Sequence, residues 1–332
     1  MTILVTGGAG FIGSHVVDAL LKQKHNVIVL DDLSGGFLDN VNSKATFVKG
    51  SITNRELLEL IFASYKIDYI YHIAAYAAEG LSHFIRNFNY TNNLIGSVNL
   101  INLAVRYRVK CFVFTSSIAV YGAARTPMTE EMIPQPEDPY GIAKYAVELD
   151  LKAAHKQFGL NYIIFRPHNV YGERQNVGDP YRNVIGIFMK QILDCKPCTV
   201  FGDGTQTRAF SHISDVAPMI ATAPFCVKAY NEIFNIGADV PYSVNELLGQ
   251  IQLFMEAPDF EVVYLPKRKE VLHAFSDHSK LKKIAGTTSK MSLSIGLTKM
   301  IEWLKIAGVR SGKPFGAVEI TEGLPESWGK LL

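Results

Sequence analysis

A short β-branched run, Ile3-Leu4-Val5, passes directly into Gly7-Gly8-Ala9-Gly10-Phe11-Ile12-Gly13 and then into a helical stretch. No other feature restricts the fold as much. Glycines at 7, 10 and 13 permit a tight turn, close approach of backbone to a ligand, and close packing of a helix on a strand. The helix that follows offers free N–H groups and partial positive charge, which suits a diphosphate. A second apolar run, Val27-Ile28-Val29-Leu30, ends at Asp31, 18 residues beyond Gly13. An acid at that place accepts hydrogen bonds from a ribose diol. Asp32 follows it, so a 2′-phosphate would meet two negative charges. The pattern predicts NAD in preference to NADP, with Gly7, Gly10, Phe11, Ile12, Gly13, Asp31 and Asp32 around it.

The same alternation continues downstream. Tyr69-Ile70-Tyr71-His72-Ile73, Cys111-Phe112-Val113-Phe114 and Tyr162-Ile163-Ile164-Phe165 are apolar on both faces, as parallel strands covered by helices are. Helical periodicity falls at 14–24, 54–65, 93–106 and 141–157. Repeated βα units predict an α/β fold, a doubly wound parallel sheet of Rossmann type. Beyond about residue 172 the alternation breaks up, and Gly178, Pro180, Gly202, Gly204, Pro241 and Pro266 punctuate the chain. A cofactor domain over 1–172 and a smaller, mainly substrate-binding domain over 173–332 are expected, with a segment near 210–240 returning to the first. The periodicity after Arg310 is too weak to assign.

Composition narrows the function. Hydrophobic residues make up 48% and charged residues 19% of 332, which excludes a disordered chain. Lys plus Arg is 33 against 31 for Asp plus Glu, so no electrostatic footprint for nucleic acid or an anionic membrane is expected. No apolar run reaches a membrane span and no signal peptide is expected, which predicts a cytoplasmic protein. Four cysteines are too few for a disulfide framework. Cys195-Lys196-Pro197-Cys198 has redox spacing, but it follows a helix instead of opening one, and no second ligand pair stands near for zinc. Chance spacing is the better reading, and no metal site is expected.

Chemistry gathers at two further places. Tyr140-Gly141-Ile142-Ala143-Lys144 opens a helix after Pro139, and positions i and i+4 share a face, so phenol and ammonium can flank one cofactor. A nearby cation favours the phenolate of a group that is otherwise a poor base at neutral pH. Upstream, Phe112-Val113-Phe114 ends in Thr115-Ser116-Ser117, placing hydroxyls at the carboxyl end of a parallel strand, where such sheets bind ligands.

With these residues in hand, the chain resembles the extended short-chain dehydrogenase/reductases of the NAD-dependent epimerase/dehydratase family, and within it the 4-epimerases of UDP-sugars. The resemblance runs through Gly7 to Gly13, His72-Ile73-Ala74-Ala75, Thr115 to Gly122, Tyr140 to Lys144 and Arg166-Pro167-His168-Asn169-Val170-Tyr171-Gly172. It continues through Phe201-Gly202-Asp203-Gly204, Arg208 to Val216 and Arg268-Lys269-Glu270-Val271. It implies Ser117, Tyr140 and Lys144 as catalytic residues, with Tyr140 and Ser117 also touching the sugar. It implies Ser51, Ile52, Ala74, Ala75, Asn92 and Thr115 as cofactor contacts, together with Tyr140 and Lys144. It also implies Asn169, Arg208 and Arg268 as nucleotide-sugar contacts, with Asn183, Val184 and Phe201 near the uridine. Two arginines suit a diphosphate. The chain departs from the family at Ser51, where an acid is usual, and at Ala209, where an Asp often follows the arginine.

Dehydratases of the family carry an Asp-Glu pair after the catalytic hydroxyl; here Ile118-Ala119 stands there, and neither residue moves a proton. The resemblance therefore implies NAD-dependent C4 epimerisation of a UDP-sugar through a 4-keto intermediate. UDP-glucose/UDP-galactose is the first expectation, UDP-glucuronate or a UDP-N-acetylhexosamine the alternative. A glucuronate enzyme needs a cation near C6, for which Arg174 and Arg182 are candidates, and Ala274 or Phe275 would gate C2 substituents. A keto-sugar reductase and a non-catalytic NAD-sensing protein are the remaining readings. Apolar residues on extra faces of two helices (Leu94, Val98, Ile101, Val105; Ala146, Leu149, Leu151, Ala154) predict a homodimer.

Overall fold

The computed structural model describes residues 1–267, 271–286, 291–310 and 318–325. Strands β1 (Thr2–Thr6), β2 (Asn26–Asp31), β3 (Thr46–Lys49), β4 (Tyr69–His72), β5 (Cys111–Thr115) and β6 (Tyr162–Pro167) form one sheet with a seventh strand, Glu232–Ile236. Every pairing is parallel, and the order is Glu232–Ile236, β6, β5, β4, β1, β2, β3. The order reverses between β1 and β4, so a crevice opens beyond their carboxyl ends. Gly7 stands at that crevice. A Cβ there would lie 2.7 Å from the Ala74 Cα, and φ is +73°, so only glycine lets the two strand ends meet.

Helices cover both faces. Helix α1 (Phe11–Lys22) starts earlier than periodicity predicts because Gly10, in extended conformation, already serves as its N-cap. Helix α2 (Arg55–Ser64) is capped by the Asn54 side chain, which accepts from the Leu57 N–H. The helix predicted over 93–106 is α4 (Gly96–Arg106), its first residues lying in a π-turn over Thr91–Ile95 that joins it to a preceding short helix, α3 (Arg86–Tyr90). Helix α5 (Pro139–Phe158) has three sequence signals at its ends. Asp138 accepts from the Gly141 N–H at 2.9 Å, Pro139 opens it, and Gly159 ends it at φ +73°. Leu58, Leu100, Val147 and Leu151 pack with Leu4, Ile70 and Phe112 on one side of the sheet. On the other side α1 packs on a later helix, α7 (Ile213–Thr222), over Ile3, Val5, Val113 and Phe165.

A second core lies between α6 (Val184–Leu193), α8 (Val244–Phe254) and α10 (Leu293–Ala307), with α9 (Ser279–Ala285) apart from it against the strand Glu232–Ile236. Phe188, Met189, Leu247, Leu297 and Met300 are buried in that core. Small sheets edge it: Cys198–Phe201 pairs with Val262–Leu265, and Thr207–Ala209 with Pro241–Ser243 and His273–Ala274. The chain thus leaves the large sheet after β6, returns for Glu232–Ile236, and leaves again. In residues 318–325, Val318 and Leu324 pack against Leu81, Ile85 and Phe88. Glu319 accepts from the Asn87 and Phe88 N–H groups at 2.7 Å each.

Three of the apolar residues expected on outer helix faces point inward instead. Ile101, Leu151 and Ala154 are buried in the sheet-facing core, because the sheet itself takes that face. Cys195 is exposed and Cys198 is buried at the head of a strand. Among the described residues, no helix is long and apolar enough to cross a membrane.

Candidate active site

The site is assembled at the carboxyl ends of β1, β4 and β5. Asp31, at the end of β2, accepts from the Ala9 N–H at 2.9 Å and the Leu33 N–H at 2.8 Å. Burial raises its pKa, and those backbone donors oppose the shift. The carboxylate therefore braces the glycine turn from behind. Loop 34–37 closes over the same turn: a Cβ on Gly36 would lie 2.6 Å from the Ala9 carbonyl carbon. Ser51 spends its hydroxyl locally on Thr53, at 2.9 Å from Oγ1. Ile52 is buried against Gly96, where a Cβ would meet it at 2.6 Å.

Tyr140 and Lys144 stand one turn apart in the first half of α5, both buried. The Lys144 side chain is only 2% exposed, and its Nζ donates to the Thr115 carbonyl at 2.8 Å. An ammonium has three N–H bonds; among the described residues this carbonyl is the one acceptor it meets, so donors remain for ligand hydroxyls. Nζ also lies 4.7 Å from the Phe114 ring centroid and 5.8 Å from that of Tyr140. Burial lowers its pKa to about 7, against the opposing charge of Glu148. The Tyr140 phenol is pushed up by burial; a hydrogen bond from Ser117 and the charge of Arg182 favour its ionised form, while Asp138 and Glu79 oppose it. Ser117, two residues beyond β5, is extended and caps the short 3₁₀ turn Ile118–Tyr121, accepting from the Ala119 N–H at 3.1 Å.

Behind these three residues lies an ion pair that sequence reading missed. Arg166 on β6 and Glu148 on α5 are 1% and 0% exposed. Arg166 Nε and Nη2 donate to the two Glu148 oxygens at 2.9 and 2.5 Å. Ser116 donates to the same carboxylate at 2.5 Å. The i, i+4 spacing of Lys144 and Glu148 was the available signal, but a solvated helix face gives the same spacing.

Asn92 falls in the π-turn, where its Nδ2 donates to the Phe88 carbonyl at 2.9 Å. Its neighbours hold the flap of residues 76–90. Asn93 bonds both main-chain groups of Tyr76 at 2.9 and 3.0 Å, and Asn89 donates to the Pro139 carbonyl at 2.8 Å. The π-turn over Thr91–Ile95 is the local irregularity that carries Asn92 and Asn93, while Asn89 reaches Pro139 from α3 just before it.

The residues expected around the nucleotide-sugar are less uniformly disposed toward a ligand. Asn169 has φ +40° and its carbonyl accepts from the Ser211 N–H at 3.1 Å. Asn183, at φ +63°, caps α6 with its Oδ1 and donates to the Val170 carbonyl at 2.8 Å. Val184 packs on the second core. Phe201 lines a small depression with Asp203, Gln206, Lys267 and Leu272. The Arg208 guanidinium donates to the carbonyls of Thr207, Leu272 and Val271 at 2.9, 3.0 and 2.6 Å. Its fork ties the 271–272 segment to its own strand. Arg268 lies outside the described residues. Arg174 is drawn away to Asp18 at 2.7 Å, whereas Arg182 sits over the Tyr76 ring at 4.9 Å. Ala274 is buried with Val120, Tyr121 and Met128.

Residues 3–237 match the NAD dependent epimerase/dehydratase family. A putative UDP-glucose 4-epimerase of Methanocaldococcus jannaschii is 36% identical over 310 residues, covering 91% of this chain and 98% of its own. The crystal structure of a UDP-glucose 4-epimerase from Thermotoga maritima with UDP-glucose is 38% identical, with a TM-score of 0.87 over 92% of this chain and 99% of its own. A UDP-glucuronic acid 4-epimerase from Bacillus cereus, crystallised with UDP-glucuronic acid and NAD, is 31% identical with a TM-score of 0.84 over 92% of this chain and 100% of its own. With its glycine turn at the reversal of a seven-stranded parallel sheet, the chain belongs to the NAD-dependent epimerase/dehydratase family.

Proposed function

We propose that this protein is an NAD-dependent isomerase that inverts C4 of a UDP-sugar, UDP-glucose/UDP-galactose in the first place. The observation that carries this reading is the grouping of Ser117, Tyr140 and Lys144 at the end of β5, with Ile118-Ala119 following Ser117 where a dehydratase carries its acid pair. The residues fit the cofactor. Gly7 and Gly13 pack the turn tightly, a Cβ falling 2.7 Å from Ala74 and 2.0 Å from the Gly7 carbonyl oxygen, so only bare backbone fits there; Asp31 ends β2 beside the turn, and Lys144 keeps donors free. The glycine turn, Asp31 and Lys144 would hold NAD, which would supply a hydride acceptor and donor for C4.

Tyr140 accepts the proton of the 4-hydroxyl and later gives it back. Ser117, already bonded to the phenol oxygen, orients that hydroxyl and steadies the phenolate. Lys144 holds ribose hydroxyls with the N–H groups that Thr115 leaves over. The burial of Tyr140 and Lys144 keeps water from the 4-keto sugar, which turns over between the two half-reactions. Ile118 and Ala119 add no acid or base, so water elimination is not supported. In this reading residues 1–172 serve mainly the cofactor and 173–332 mainly the substrate, the strand Glu232–Ile236 excepted. Asn169, Asn183, Val184, Phe201 and Arg208 border the nucleotide.

A homodimer through α4 and α5 belongs to the same proposal. Ile142, Leu149 and Phe158 are exposed on α5, Leu149 by 48% and Phe158 by 65%, beside Ile95 and the half-buried Val98 and Val105. A cytoplasmic setting fits four unpaired cysteines. The position of Arg182 near Tyr140 keeps UDP-glucuronate as a second reading. The deciding experiment is a panel of UDP-sugars incubated without added cofactor and read by NMR. C4 epimers of UDP-glucose support the proposal; a requirement for added NADH, with one-way reduction, overturns it.

A further inference from the structure

We infer that Arg182 is a diphosphate-binding residue that closes over the cofactor cleft from the second core, trading its present partner Asp179 for a bound nucleotide diphosphate. The inference rests on the reading above. Arg182 precedes Asn183, the N-cap of α6, yet its guanidinium reaches the glycine-turn side of the cleft. A Cβ built on Gly35 would lie 3.4 Å from its Nη2 and 3.7 Å from its Nη1, so both terminal nitrogens face that backbone. The next residue, Gly36, packs on the turn so closely that a Cβ would fall 2.8 Å from the Gly10 nitrogen. The guanidinium is therefore one residue removed from the phosphate-binding turn.

Its other neighbours lie toward the chemistry. The Tyr76 ring is 4.9 Å away, and the guanidinium charge is felt at Tyr140, where it favours the phenolate. The path from the glycine turn to Tyr140 is the path that a dinucleotide follows, and Arg182 spans it. Asp179 holds the side chain in place, with Nε donating to Oδ2 at 2.6 Å and Nη2 paired with the same oxygen. One carboxylate oxygen is a poor match for a planar fork of five donors. A diphosphate brings two negative charges and several oxygens, and binds guanidinium bidentately. Arg182 is placed to make that exchange, and Asp179 keeps the cation poised until a ligand arrives.

Two nucleotides carry that group, the dinucleotide and the UDP-sugar, and the test separates them. Wild type, Arg182→Ala, Arg182→Lys and Asp179→Asn are purified; nicotinamide nucleotide per chain is measured after denaturation, and UDP affinity by calorimetry. Arg182→Ala is expected to lower NAD occupancy or UDP affinity at least tenfold, and the property that falls names the diphosphate. Arg182→Lys should recover part of it, keeping charge without the fork. Asp179→Asn should tighten the same ligand. If Arg182→Ala leaves both NAD content and UDP affinity within twofold of wild type, the inference is wrong. It is equally wrong if only binding of a UDP-hexuronate weakens while UDP itself is unaffected, since that places the cation at a sugar carboxylate. Wild type that carries no NAD and binds no UDP would instead overturn the functional proposal.

Discussion

The ammonium of Lys144 donates to the main-chain carbonyl of Thr115 at 2.8 Å, which latches the first turns of α5 to the end of β5. That bond fixes the distance between a helix bearing the phenol and a strand end bearing the hydroxyls. A second latch, from Glu148 to Ser116 and Arg166, repeats the connection one helical turn deeper. The site is thus held by two buried polar ties between the same two elements and their neighbour β6.

Tyr140→Phe should reduce epimerisation by a factor of about 10² to 10⁴, the usual worth of a general base, and leave UDP binding unchanged. The ring stays, so packing is preserved; only the oxygen bonded to Ser117 is lost. NMR turnover and calorimetric UDP affinity measured on the same preparation check this. Retention of more than about a tenth of wild-type turnover would assign the proton transfer to another group.

Lys144→Met should abolish activity yet raise stability below neutral pH. Burial lowers the Lys144 pKa from 10.5 to about 7, so the unfolded chain binds this proton more tightly than the folded one. Between about pH 7 and pH 10 wild type gains stability as the pH rises, because the folded lysine is then allowed to be neutral. Below pH 7 both states carry the proton and the burial penalty is complete. The advantage of the methionine variant is therefore largest near pH 6 and shrinks toward pH 10 in urea unfolding of the cofactor-free protein. An advantage that grows with pH would contradict the assignment.

Glu148→Ala should cost roughly 3–5 kcal/mol, because it strands a buried guanidinium. Arg166 is 1% exposed and would have no solvent to turn to. The double variant Glu148→Leu with Arg166→Met should cost distinctly less, since no charge is left unpaired. Equilibrium unfolding of both variants gives the comparison, and equal losses would show that packing, not charge, dominates.

Leu149→Glu should leave the fold intact and produce monomers by light scattering at micromolar concentration. The side chain is 48% exposed, so a charge there costs little in the isolated chain. It becomes expensive only where α4 and α5 meet a second copy. An unchanged dimer would move the contact to another face.

Much of this molecule is readable along the chain, and the reason is that its signals are local. A strand followed by glycines at 7, 10 and 13, an acid ending β2, and a Pro139-capped helix with Tyr140 and Lys144 four residues apart each lie within one or two elements. Period and spacing express them directly. The π-turn at the start of 93–106 was not readable, because the asparagines in it and just before it bond to Tyr76 and Pro139. Nor was the inward turn of Leu151 and Ala154, since helical periodicity gives the stripe and not which body covers it.

What only the tertiary structure decided are the pairings between residues far apart in sequence. Glu148 with Arg166, Arg208 with the carbonyls of 271 and 272, and Glu319 with the main chain of α3 are of this kind. So is Arg182 against Gly35. The Glu148–Arg166 pair depends on charged side chains losing their water, and desolvation is a property of the packed molecule. A lone arginine or glutamate in a sequence carries no mark of the burial that makes it choose one partner.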